Sequence, residues 1–197
     1  MTLQEFIEKF DKENTIVLLE GKRKVSEQDQ QKLIKLGHIL ALQTKHIIFR
    51  SGNAEGADQL FSEGVVSVDK KRLQVITPYS THRKNKNVAD ETISLNELNL
   101  ATEPEVVYQS KRNKKTSQLV DQFAAGKINR ITIKAAYIIR DTVKVIGTQS
   151  IQRADFAVFY DDLSKPMTGG TGHTMDICQQ NNVPFVDQHT WFNWLNE

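Results

Sequence analysis

The sequence predicts an α/β fold, a three-layer domain built on a mostly parallel sheet and carrying a helical insertion. Three observations lead there. Short apolar runs suited to strands buried on both faces alternate with stretches of helical periodicity. Two of those runs pass into helices through glycine-bearing loops. Right-handed crossovers put each helix on a face of the sheet, so this alternation implies parallel strands.

The elements follow in order. Met1–Asn14 reads as a short amphipathic helix with Leu3, Phe6, Ile7 and Phe10 on one face. Thr15–Leu19 is a first buried strand, followed by the basic turn Glu20–Lys24. Ser26, with Glu27 and Asp29 behind it, marks a helix start whose apolar stripe is Leu33, Leu36, Gly37 and Leu40. His46–Arg50 is a second strand and Ala57–Val66 a helix, and Arg72–Thr77 is a third strand stopped by Pro78. Residues 79–149 break the rhythm. Asp90–Leu100, Pro104–Phe123 and Asn129–Ile146 all look helical, with Pro104 in a first turn and Asn129 as a cap. Asp155–Tyr160 is a fourth strand. A glycine loop and a helix to Asn181 follow, then a fifth strand at Pro184–Asp187 and a closing helix at His189–Leu195.

At 197 residues the chain has the size of one ordinary domain, 1–197, with the insertion at 79–149. Its 39% apolar and 25% charged residues exclude a disordered polyelectrolyte, a collagen and a coiled coil. Runs such as Ala135–Ile139 fall far short of the roughly 18 apolar residues of a membrane helix, so no membrane partner is expected. The polar N-terminus has no secretory pattern, and Cys178 stands alone, so a reduced, cytoplasmic protein is expected. The net charge of +2 hides an asymmetry. Residues 70–115 hold ten basic and five acidic side chains, which leaves the remainder at −3. The runs Lys70–Arg72, Arg83–Lys86 and Lys111–Lys115 read as solvated faces or as a nucleic-acid surface, the second not favoured.

Two loops carry the chemistry. In the first, Ser51-Gly52-Asn53-Ala54-Glu55-Gly56-Ala57-Asp58, small residues let backbone amides approach a ligand, and the next helix adds its positive end. Ser51 and Asn53 can donate hydrogen bonds. Asp58 can accept from a ribose hydroxyl or cap a loop amide. The alternative is a tight turn whose glycines serve geometry alone. In the second, Thr168-Gly169-Gly170-Thr171-Gly172-His173-Thr174, three glycines and three hydroxyls exceed what a turn needs. Thr171 and Thr174 suit phosphate oxygens, His173 suits phosphate or titration near neutrality, and Asp176 suits orienting a sugar or activating water. Gly21-Lys22-Arg23 is a third element, in which Arg23 either reaches a phosphate or is merely solvated. No Walker loop and no dinucleotide fingerprint is present. No cluster of ligands at metal spacing occurs, and neither a metal nor a cofactor is expected.

These loops resemble the SLOG superfamily, the Rossmann-like group that holds the DNA-uptake protein DprA and the LOG phosphoribohydrolases. Gly21-Lys22-Arg23 is similar to the Gly-x-Arg turn of its YpsA-like branch. The resemblance covers the N-terminal third and about the last 45 residues, and it implies a Rossmann-like domain. The phosphoribohydrolase pattern Pro-Gly-Gly-x-Gly-Thr-x-x-Glu is matched at Gly169, Gly170 and Gly172. Thr168 replaces the proline, His173 the threonine and Asp176 the catalytic glutamate. That family's arginine has no matching motif here, with Arg140 and Arg153 as upstream candidates. The expected function is therefore binding of a nucleotide or phosphosugar, as a sensor or regulator. Hydrolysis of a nucleoside monophosphate through Asp176, and DprA-like binding of single-stranded DNA, are the alternatives. Trp191, Phe192, Trp194 and Leu195 pack the last helix or else form a dimer surface, and a homo-oligomer is expected. Cys178 reads as a small buried apolar residue rather than a nucleophile. His38, His46, His82 and His189 share no motif.

Overall fold

The computed structural model describes residues 1–197. Its strands are β1 (Ile16–Gly21), β2 (Ile48–Ser51), β3 (Leu73–Thr77), β4 (Glu91–Ser94), β5 (Phe156–Tyr160) and β6 (Phe185–Val186). They form one sheet in the order β4-β3-β2-β1-β5-β6, and every neighbouring pair is parallel. β1 is central: Val17 lies opposite Phe49 on one side and Phe156 on the other. Every residue of β1 and β5 is buried, as expected of strands covered on both faces.

The helices are α1 (Leu3–Phe10), α2 (Glu27–Gln43), α3 (Ala57–Val66), α4 (Pro104–Ser110), α5 (Lys114–Ala124), α6 (Ile133–Ile146), α7 (Gly169–Gln180) and α8 (Gln188–Trp194). The period-two alternation of β1 divides them into layers. Val17 and Leu19 join a core with Phe6, Leu33, Phe61 and Trp191 from α1, α2, α3 and α8. Ile16 and Leu18 face Val145, Met175 and Ile177 from α6 and α7, and Ile76 of β3 packs under α4, α5 and α6. The result is a Rossmann-like three-layer α/β domain. No helix is long and apolar enough to cross a membrane. Trp191 and Trp194 are buried within the chain, with the Trp191 Nε1 donating to the Phe159 carbonyl at 2.8 Å, so they form no exposed face. Cys178, on α7, is buried in the core, and burial pushes its thiol pKa up.

The middle of the chain departs from expectation. Residues 91–94 are a sheet strand, not part of a helix. β4 pairs with β3, and the Gln74 amide donates to Glu91 at 2.7 Å. As a half-exposed edge strand of sequence Glu-Thr-Ile-Ser, it needs no apolar run and left none to read. The single helix expected at 104–123 is two: α4 stops at Ser110, and Asn113 caps α5 by accepting from Lys115 N. Asn129 stands ahead of α6 and accepts from the amides of Ile131 and Thr132. The chain passes from β3 to β4 through residues 78–90 with only a 3-10 turn at Lys84–Lys86.

α2 and α3 pack most closely at two glycines. A Cβ on Gly64 would lie 2.1 Å from the Ile34 carbonyl, and one on Gly37 would lie 2.3 Å from the Phe61 carbonyl. Elsewhere in a helix an alanine would stabilise relative to glycine by about 1 kcal/mol. Here the backbones must part instead. Gly64→Ala is expected to lower stability by about 1–3 kcal/mol, with a fall of roughly 2–4 °C in Tm per kcal/mol. Urea and thermal denaturation read it, and a stabilised variant would contradict this packing.

Candidate functional site

Strand order reverses direction between β1 and β5, and a crevice of about 420 Å³ opens at the carboxyl ends of the strands there. Its size falls in the roughly 300–1,000 Å³ range of small-molecule sites. The end of β1 and the turn after it contribute Glu20 to Arg23, the loop after β2 contributes Ala54, and the start of α3 contributes Asp58. α6 contributes Tyr137, Ile138, Arg140 and Asp141, and Thr168–Thr171 close the far side. The three predicted loops therefore meet.

Close backbone approach builds the floor. A Cβ on Gly21 would lie 2.5 Å from the Tyr160 carbonyl and 2.7 Å from Ala57 Cβ. Gly56 has φ +85° and backs onto the Arg23 carbonyl. Asp58 ties the first two loops together: Oδ1 accepts from Gly21 N at 3.2 Å, and Oδ2 from Gly52 N at 3.1 Å and Ala54 N at 3.3 Å. Of the two roles open to Asp58, the structure uses it to cap loop amides. Ser51 is buried and accepts from Asn53 N, while the Asn53 side chain donates to the His82 carbonyl. Ser51 is thus turned into its own loop and Asn53 is held to the β3–β4 crossover, and neither lines the crevice.

Gly169–Gly172 is not a loop ahead of a helix but the first turn of α7 itself. The amides of Gly169, Gly170 and Thr171 make no hydrogen bond within the chain, and Thr168 supplies no side-chain cap. Gly169 and Gly170 are exposed. Thr174 turns inward, donating to Glu20 at 2.9 Å. Gly172 lies tight beneath Met167. His173 and Asp176 line a separate hollow with Arg112. His173 bonds Thr142, and burial lowers its pKa. Asp176 is the eighth residue of α7, so it lies beyond the first turn, and it pairs with Arg112 Nε at 3.0 Å. The motif's carboxylate is therefore outside the crevice.

What sequence reading missed is a buried charge cluster on α6. Lys144 has no exposed surface; its Nζ lies 2.5 Å from Glu20 and 2.9 Å from Asp141. Arg140 pairs with Asp141 at 2.7 Å and donates to the Gly52 carbonyl at 2.9 Å. Burial alone would depress Lys144, but Asp141 and Glu20 outweigh it and hold its pKa above the ordinary value. Burial would raise Asp141, but Arg140 and Lys144 outweigh it and hold it below. At Glu20 burial prevails over Lys144 and pushes the pKa up to about 7. The available signal was an Arg-Asp-x-x-Lys spacing inside an otherwise buried helix, since such charges are rarely buried unless paired. A smaller hollow of about 140 Å³ adjoins the crevice, lined by Arg23, His82, Arg83, Tyr137 and Arg140. Burial and the neighbouring arginines Arg140 and Arg83 push His82 down to about 4. The basic runs are partly spent internally: Arg72 binds the carbonyls of Ala41, Thr44 and Ile47, and Lys111 pairs with Asp121.

Fold and crevice together define a Rossmann-like domain whose candidate site lies at the topological switch of a parallel sheet. Among solved structures, DNA processing protein A from Helicobacter pylori, described for its single-stranded DNA binding mode, is similar. Its TM-score is 0.57 at 15% identity, over 91% of this chain and 67% of that one. The molybdenum cofactor binding protein of Rippkaea orientalis aligns with TM-score 0.49 and 14% identity, over 92% and 85%. DNA processing protein A from Streptococcus pneumoniae aligns with TM-score 0.47 and 12% identity, over 90% of this chain and half of that one. At these identities the first likeness shows the fold. No protein-family model matches the sequence, and no curated protein matches it either.

Two measurements probe the cluster. Lys144→Met leaves two buried carboxylates facing each other and is expected to cost about 3–5 kcal/mol in urea denaturation. Because Glu20 has a folded pKa of about 7 against an ordinary 4.5, the folded state binds more protons between those values. Stability is therefore expected to fall as pH rises across that window. Glu20→Gln should flatten this limb, and an unchanged pH profile would remove Glu20 as its cause.

Proposed function

We propose that the crevice binds a nucleotide or nucleotide-derived phosphate ester. The observation that carries this is the uncapped first turn of α7. Its three free amides open onto a crevice that Arg23 and Arg140 also line. Such a turn is an anion site, since unsatisfied N–H groups and the helix dipole act together. Arg23 makes no hydrogen bond or ion pair through its side chain and borders both the crevice and the adjoining hollow, where Tyr137 offers a half-buried ring to a base. With Asp176 held by Arg112 elsewhere, binding without turnover, as in a sensor, is the reading we favour over N-glycosidic hydrolysis.

A second reading, single-stranded DNA, is favoured by one grouping: Arg23, Arg83 and Arg140 surround Tyr137, a basic setting with a stacking ring. Titration calorimetry with AMP, ATP and a short oligothymidylate separates the two. We expect mononucleotide binding that Arg23→Ala weakens about tenfold, near 1.4 kcal/mol, with Tm unchanged. Binding of the oligonucleotide alone, falling steeply with salt, would transfer the site to DNA. Binding of none of the three would sink the proposal.

A further inference from the structure

Three carboxylates line the crevice, and two are committed. Asp58 uses both oxygens on loop amides. Glu20 uses one oxygen on Thr174 and the other on Lys144. Asp141, only 4% exposed, is lopsided. Its Oδ1 accepts from Arg140 Nε at 3.0 Å, Arg140 Nη2 at 2.7 Å and Lys144 Nζ at 2.9 Å. Its Oδ2 accepts nothing from the chain and faces the start of α7. A Cβ built on Gly170 would stand 3.5 Å from Oδ2 and meet nothing else within 4 Å.

An ionised carboxylate is an acceptor only, so this oxygen calls for a donor. It also repels any phosphate oxygen brought beside it. A ligand whose phosphate rests on the α7 amides must therefore turn a hydroxyl toward Asp141. Inorganic phosphate offers no carbon-borne hydroxyl, and a polyphosphate chain offers only further negative charge. We infer that Asp141 is the specificity-determining residue of the crevice, and that the ligand is a sugar phosphate whose hydroxyl donates to Asp141 Oδ2. This rests on the phosphate reading of α7 given above. It also moves the carbohydrate-reading carboxylate from the glycine motif to α6.

Titration of the full chain with inorganic phosphate and with ribose 5-phosphate tests it. Wild type is expected to bind the sugar phosphate about tenfold or more tightly. Gly170→Ala puts a methyl group against Oδ2 without touching the ion cluster, and it should erase that preference, read as the ratio of the two affinities. Asp141→Asn should also erase it and should hold phosphate at least as well. Because this variant strips a partner from two buried cations, Gly170→Ala decides the matter where Asp141→Asn does not fold. Phosphate binding with no preference for the sugar, or a preference that survives Gly170→Ala, overturns the role of Asp141 and leaves the anion site standing. Absence of binding by either probe overturns both.

Discussion

A lysine ammonium with no solvent contact is tolerable only if carboxylates stand against it, and Lys144 imposes that condition on the middle of this molecule. Its partners come from separate places: Asp141 one turn earlier on α6, and Glu20 near the end of the central strand. Arg140 extends the cluster to the Gly52 carbonyl, in the loop after β2. One group of ion pairs thus fixes a helix from the middle of the chain over two strand ends from its beginning. Removing the geometry of any partner exposes another to an uncompensated charge. The crevice is therefore bounded by residues whose positions are set by electrostatic necessity, which is the kind of preorganisation a binding site requires.

Glycines set the remaining geometry. Gly21 lets β1 turn beneath the loop after β2, Gly56 lets that loop back onto Arg23, and Gly172 lets α7 begin beneath Met167. Each is placed where a side chain would collide with backbone. Gly170 differs: it has no left-handed φ to require glycine, and a Cβ there would meet only the free oxygen of Asp141. A glycine without a packing reason, in a first turn without a cap, fits a contact made by something other than the chain.

The sheet was legible where burial left its mark. Ile16–Leu19 of β1 and the whole of β5 are continuous apolar runs because both faces are covered, and the period-three-to-four stripe of α2 follows from its single buried face. β4 was not legible, because an edge strand built from Glu91, Thr92 and Ser94 around one isoleucine has no periodicity to show. The loops meeting at the strand ends could be placed, since parallel topology sends them to one edge. The orientation of their side chains could not: Asn53 and Thr174 turn inward to His82 and Glu20, far away in sequence, and Ser51 turns in to the amide of Asn53. Asp176 and Asp141 show the limit most clearly. A motif spacing named the first, while the second pairs with Arg140 and Lys144 of its own helix and reaches the crevice only because α6 packs over the strand ends.

The crossover from β3 to β4 differs from the others in having no α-helix over it, and it supplies His82 and Arg83 to the hollow beside the crevice. Asn53 holds it through a side-chain hydrogen bond to the His82 carbonyl. Tyr79 Oη also meets Tyr137 Oη at 3.0 Å, and Arg83 donates to Gln59 Oε1 at 2.6 Å, so side chains rather than a helix tie this segment to α6 and α3. The two ends of the crevice are thus held in different ways. The α7 end is shaped by helical backbone, whereas the His82 end is shaped by side chains, so single substitutions can remodel the second but not the first.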